Sequence, residues 1–144
     1  MPLQWNDSLS VGYAAMDRQH QRLFAINSKL AEALGKPGGA GEEELLKIIG
    51  DLLSYTRTHF AEEERMMEQV AFPNFAWHKK SHEVLSGIVS DMEAKLRKGE
   101  LHAVATFLPG FVAEWLTRHI AVEDQQYASY LKTRDAVQSA RNWL

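Results

Sequence analysis

The stretch HFAEEERMMEQVAFPNFAWHKKSH occupies residues 59–82, and its reading decides the fold. His59 and Glu63 stand four apart, as do His78 and His82, a spacing that places each pair on one face of an α-helix. Pro73-Asn74 lies between the pairs and breaks the helical pattern within a few residues. Two helices joined so tightly must run antiparallel, and each carries its polar pair on the stripe that is otherwise apolar.

Working outward, the second helix is expected from about Gly41 to Gln69, with Glu42, Glu43 and Glu44 favourably placed in its first turn. The third runs from about Asn74 to Lys98 and ends at Arg97-Lys98-Gly99. Upstream, Asp17 occupies an N-cap position, and the first helix runs to about Leu34, where Gly35, Pro37, Gly38 and Gly39 stop it. Downstream, the fourth runs from about Leu101 to Leu131, with Pro109 expected to kink it. Thr133 is placed to cap a short last helix ending near Trp143. Residues 1–16, with Pro2, Trp5, Gly12 and Tyr13, lack a steady period and read as an ordered arm. The expectation is one all-α domain over residues 1–144: an arm (1–16), an up-down-up-down antiparallel four-helix bundle (17–131) and a C-terminal segment (132–144).

Composition narrows the function. The chain has 144 residues, 45% hydrophobic and 24% charged, so it can bury one core and is not intrinsically disordered. A net charge of −3 offers no general attraction to phosphate backbones, which argues against a nucleic-acid partner. The absence of cysteine removes disulfides, thiolate metal sites and thiol nucleophiles together. The longest apolar run, residues 103–113, is about half the ~20 residues that a bilayer requires. The N-terminus has no export signal, so a cytoplasmic location is expected.

Alternating steps of three and four mark four inward stripes. The first holds Met16, His20, Leu23, Asn27, Leu30 and Leu34; the second Leu45, Ile49, Leu52, Thr56, His59, Glu63, Met66 and Val70. The third holds Phe75, His78, His82, Leu85, Val89, Met92 and Leu96; the fourth Leu101, Ala105, Leu108, Val112, Trp115 and His119. Five of the six histidines thus fall on inward stripes, with Glu63 among them. Any one of them reads most simply as an ordinary core residue. Jointly they do not, because burying a carboxylate without compensation costs on the order of several kcal/mol. A metal site satisfies the whole set. His102 reads as a solvated surface residue, Glu62 and Glu64 as solvated charges, and the Met66-Met67 pair as core filling. On the fourth helix, Glu123 is four residues from His119 and Asp124 is five. The apolar pattern beyond His119 continues as Ile120, Asp124, Tyr127 and Leu131, a shift of one residue that favours Asp124 only slightly.

The constellation His20, H-F-A-E-E (59–63), H-K-K-S-H (78–82) and H-I-A-V-E-D (119–124) resembles the hemerythrin family, in particular the single-domain bacteriohemerythrins, over essentially the whole chain. The resemblance selects Asp124, since the family carries H-x-x-x-x-D in its last long helix. It implies a non-haem di-iron cofactor: His78, His82 and His119 on one iron, His20 and His59 on the other. Glu63 and Asp124 would bridge both, with an oxo or hydroxo group as third bridge. It further implies reversible O2 binding at the two-histidine iron, for storage or delivery to an O2-consuming enzyme. Phe60, Trp115, Leu116 and Ile120 would form the dry wall around the bound O2.

Two other functions are weighed. A sensor of O2, redox state or NO would act on a partner in trans. A di-iron oxidase or peroxidase would favour the carboxylate-rich Glu-x-x-His sites of oxygen-activating bundles, and this chain contains no Glu-x-x-His. The expected reading is therefore a monomeric carrier that is not an enzyme, with O2 as ligand and an O2-consuming enzyme as recipient.

Overall fold

The computed structural model describes residues 4–36, 39 and 41–142. Pro2, Pro37, Gly38 and Trp143, invoked above for the arm, the first loop and the last helix, lie outside the described residues. Helix α1 spans Ala14–Leu34, α2 Glu42–Gln69, α3 Phe75–Arg97 and α4 Leu101–Arg118. The last continues through a π-helical turn, His119–Asp124, into α5, Gln125–Arg141. No strand occurs among the described residues, and no helix there is long and apolar enough to cross a membrane. Around the bundle α1 packs on α2 and α4, and α3 packs on the same two. This is the expected antiparallel four-helix arrangement, with the inward stripes meeting along its axis.

Two boundaries and one inward position differ from expectation. Helix α1 starts at Ala14, and Asp17 lies inside its first turn rather than at its N-cap. The Asp17 carboxylate instead accepts the Val11 backbone N–H at 2.9 Å and the Ser10 hydroxyl, fastening the arm to the helix. Thr133 starts no separate helix, because α5 runs through it to Arg141. Residues 132–141 are all exposed, so no tertiary packing dictates a break there. On α2 the inward position near the C-terminus is Met67, fully buried, and not Met66, which is 41% exposed. The fourth helix is continuous through Pro109. The buried Asn27 of α1 donates its side-chain N–H to the Pro109 carbonyl at 2.9 Å, joining the two helices by a polar contact within an apolar layer.

The arm is built into the fold. It makes one 3-10 turn at Asp7–Leu9, buries Leu9 and Val11, and sets Trp5 edge-on to Phe24. Gln125 donates to the Ser10 carbonyl at 2.9 Å, and the Tyr13 hydroxyl donates to Asp135 at 3.2 Å, so the arm spans from α1 to α5.

Helices α2 and α3 end in the same way. After α3, the Glu100 N–H bonds the Lys95 carbonyl and the Gly99 N–H bonds that of Leu96, with Gly99 at φ +83°. After α2, the Phe72 N–H bonds the Met67 carbonyl and the Ala71 N–H bonds that of Glu68, with Ala71 at φ +52°. Both are Schellman caps, which require a left-handed residue. Glycine adopts that conformation without steric cost, whereas alanine incurs about 1 kcal/mol. Ala71→Gly is therefore expected to stabilise the chain by roughly 0.5–1 kcal/mol and Gly99→Ala to destabilise it by a similar amount, both read by denaturant unfolding.

Candidate metal centre

Each helix of the bundle brings at least one histidine to a common depth. His20 comes from α1, His59 and Glu63 from α2, His78 and His82 from α3, and His119 and Asp124 from the π-helical turn. All seven side chains are at most 4% exposed. The π-helical turn resolves the choice on the last helix. Its i→i+5 bonding adds a residue to one turn, which brings His119 and Asp124 onto the same inward face and leaves Glu123 at the rim.

The geometry is that of a pair of subsites sharing two carboxylates. Glu63 Oε1 lies 2.7 Å from His78 Nε2 and 3.2 Å from His82 Nε2, while its other oxygen, Oε2, lies 3.4 Å from His59 Nε2. Asp124 Oδ1 lies 3.1 Å from His78 Nε2 and 3.2 Å from His119 Nε2, while Oδ2 lies 3.1 Å from His20 Nε2. Each acid therefore turns one oxygen toward two of the three histidines His78, His82 and His119, and the other toward one of the pair His20 and His59. One ligand atom from each of Glu63, His78, His82, His119 and Asp124 falls within 4.8 Å of every other, and the same holds for His20, His59 and Glu63.

These contacts are close without being satisfied. Among the described residues, both oxygens of Glu63 and of Asp124, both nitrogens of His20 and Nε2 of His78 have no aligned hydrogen-bond partner. His82 Nε2 and His119 Nε2 face each other at 3.1 Å, where two lone pairs repel unless a proton or a cation lies between them. Buried, orphaned donor atoms of this kind, all imidazole nitrogen or carboxylate oxygen, fit a pair of borderline transition-metal ions.

Without metal, protons take the place of the cations. Burial opposes the charged form of His78, but the carboxylates of Asp124 and Glu63 outweigh it and hold the imidazole up at about 9. Burial likewise opposes charge on His119, and Asp124 with Glu123 holds it at about 10. Burial dominates at His59, which drops to about 4 and is neutral. Burial and Asp124 push Glu63 up, yet the surrounding histidines hold it below the usual carboxylate range; Asp124 is lowered further by His119, His20 and His78.

A second layer of side chains reaches the outer ring nitrogens. His82 Nδ1 donates to Glu64 Oε2 at 2.9 Å, and His59 Nδ1 donates to Gln19 Oε1. Glu123 Oε2 is in contact with His119 Nδ1 at 2.7 Å, with the Ser81 hydroxyl 3.5 Å from the same nitrogen. Glu62 accepts from the Gln19 amide at 3.0 Å. The expectation that Glu64 is a solvated charge is thus corrected, since it reaches sideways to His82, whereas Glu62 is exposed as expected and meets the site only through Gln19. Gln19, Ser81 and Tyr127 were absent from the sequence-based site. Tyr127 is fully buried, its hydroxyl unpartnered among the described residues, and it lines a cavity of about 60 Å³ with Gln19, His59, Glu63 and Met66. His102 is exposed, as expected.

Of the four residues expected around bound O2, Phe60, Leu116 and Ile120 are at most 3% exposed. Phe60 lies flat on His82, with ring centroids 3.8 Å apart and planes within 2°. Trp115 is half-buried and stacks on His119 at 4.5 Å, on the side of the three-histidine group.

Residues 11–131 match the Hemerythrin HHE cation binding domain, and the chain belongs to the hemerythrin family. The bacteriohemerythrin of Stenotrophomonas maltophilia is 33% identical over 132 residues, spanning 90% of this chain and 82% of that protein. The myohemerythrin of Riftia pachyptila is 31% identical over 130 residues, spanning 90% of this chain and 94% of that one. A crystal structure of wild-type hemerythrin superposes with a TM-score of 0.75 at 26% identity, covering 88% of this chain and 95% of that one. Reversible O2 binding at a non-haem di-iron centre is the function of this family, and the buried histidine and carboxylate set suits such a centre.

Because His78 and His119 are held at about 9 and about 10, both are charged at neutral pH in the metal-free chain. Their stabilising contribution is complete below an unfolded histidine pKa of about 6.5 and is lost as pH rises through those folded values. Metal capture at pH 7.5 must displace both protons. Titrating Fe2+ anaerobically into the metal-free chain in weak buffer is expected to release about two protons per chain. A pH indicator that registers none would contradict this electrostatic account.

Proposed function

We propose that the chain stores O2 or hands it to an O2-consuming enzyme, as a monomeric carrier and not as an enzyme. In this reading His78, His82 and His119 would hold one iron and His20 and His59 the other, with Glu63 and Asp124 shared between them. The observation that carries the assignment is the division of each carboxylate, one oxygen toward the three-histidine group and one toward His59 or His20. When bound, the two irons supply the reversible redox chemistry that O2 binding requires, and two imidazoles on one ion against three on the other leave the former the more open.

The remaining residues control water and protons. Phe60, Leu116 and Ile120 keep the interior apolar beside the histidines and carboxylates, so water and proton donors are kept from them. Trp115 shields His119 from the rim by stacking on its ring. The outer hydrogen bonds of His59 and His82 fix Nδ1 as the protonated nitrogen, which leaves the Nε2 lone pair facing inward. Five imidazoles with only two carboxylates also favour carriage over oxygen activation, which uses acid-rich sites.

The test is optical. The reduced, iron-loaded protein is expected to gain a ligand-to-metal charge-transfer band in air and to lose it under vacuum. Irreversible conversion to the oxidised form on first exposure would contradict carriage. His119→Ala is expected to lower iron below two per chain. Leu116→Ala should retain both irons and autoxidise severalfold faster because the cavity admits water; an unchanged rate would remove Leu116 from the wall.

A further inference from the structure

The outer nitrogens of the histidines are not treated alike. In the three-histidine group, His82 Nδ1 donates to the Glu64 carboxylate at 2.9 Å, and His119 Nδ1 lies 2.7 Å from Glu123 Oε2, a close charge contact without hydrogen-bond alignment. In the two-histidine group, His59 Nδ1 meets only the neutral amide oxygen of Gln19, and neither ring nitrogen of His20 has an aligned partner among the described residues. Both outer carboxylates stand at the rim, with side chains 21% and 37% exposed, so solvent still reaches them.

A carboxylate on the outer N–H makes an imidazole a stronger donor through its other nitrogen, because it stabilises the positive charge that ligation induces on the ring. An amide oxygen does the same weakly. We propose that Glu64 and Glu123 are positioning residues that make His78, His82 and His119 the tighter metal position, filled first, while Gln19 leaves the His20 and His59 position weaker and exchangeable. This rests on the ligand assignment proposed above and goes beyond it. Two carboxylates meet the outer nitrogens of one group directly, whereas Glu62 reaches the other only through the Gln19 amide, so the unequal strength is built into the surrounding protein as well as into ligand number.

The test is an anaerobic titration of the metal-free chain with Co2+, whose visible spectrum reports the ligands of each bound ion. Glu64→Gln and Glu123→Gln keep the size and the acceptor oxygen but remove the charge, so a merely spatial role would leave the titration unmoved. The wild-type chain is expected to bind two ions in two resolved steps. Each variant should weaken the first step by about 10–100-fold and shift its spectrum, with the second step little changed. Gln19→Glu should do the converse and strengthen the second step. A first step of unaltered affinity in both glutamate variants would overturn the proposal, as would a second step indifferent to Gln19→Glu. A wild-type chain that binds fewer than two ions would defeat the ligand assignment itself, an outcome distinct from two ions held with equal strength.

Discussion

Two acids and five imidazoles share an interior almost closed to solvent, and nearly every unusual feature of the chain answers to that. Asp124 is fully buried and Glu63 nearly so, and their oxygens meet histidine nitrogens at 2.7–3.4 Å without aligned hydrogen bonds. An apolar bundle tolerates such a cluster only when compensating positive charge lies at its centre. Protons on His78 and His119 supply that charge in the metal-free chain, and a metal pair supplies it in the loaded one.

The constraint shapes the helices as well as the side chains. Inward polar residues on an ordinary helix stand four apart, as His59 and Glu63 do in α2 and His78 and His82 in α3, but the last helix brings His119 and Asp124 inward at a spacing of five through a π-helical turn. That distortion moves the inward stripe by one residue, from His119 to Asp124, Tyr127 and Leu131. The arm, fastened through Asp17 and Gln125, covers the same end of the bundle. A dry binding site thus depends on segments distant in sequence, a dependence that helix periodicity does not express.

Around the ligands lies a second polar layer, and it is there that the two halves of the site part company. Carboxylates serve one histidine group and an amide the other. Glu63 and Asp124 each face both histidine groups, whereas the outer support differs between the groups.

The residues alone carried the four antiparallel helices, their loops and the buried polar cluster, because an apolar stripe of period 3.6 records which way each Cβ points. His20, His59, Glu63, His78 and His82 were legible for that reason, being polar residues on stripes that should be apolar. The choice between Glu123 and Asp124 was nearly even on spacing, since it turns on backbone winding, and hydrogen bonding in the folded helix settles which face each presents. Glu64 and Gln19 escaped for a different cause. Their Cβ atoms leave the stripe, but their long side chains curve to a nitrogen on the same or a neighbouring helix, and only packed helices determine where such a tip ends. Met67 replacing Met66, and α5 running past Thr133, belong with these. Periodicity in a chain specifies direction from its own axis, whereas distance between groups on different helices exists only once the axes are assembled.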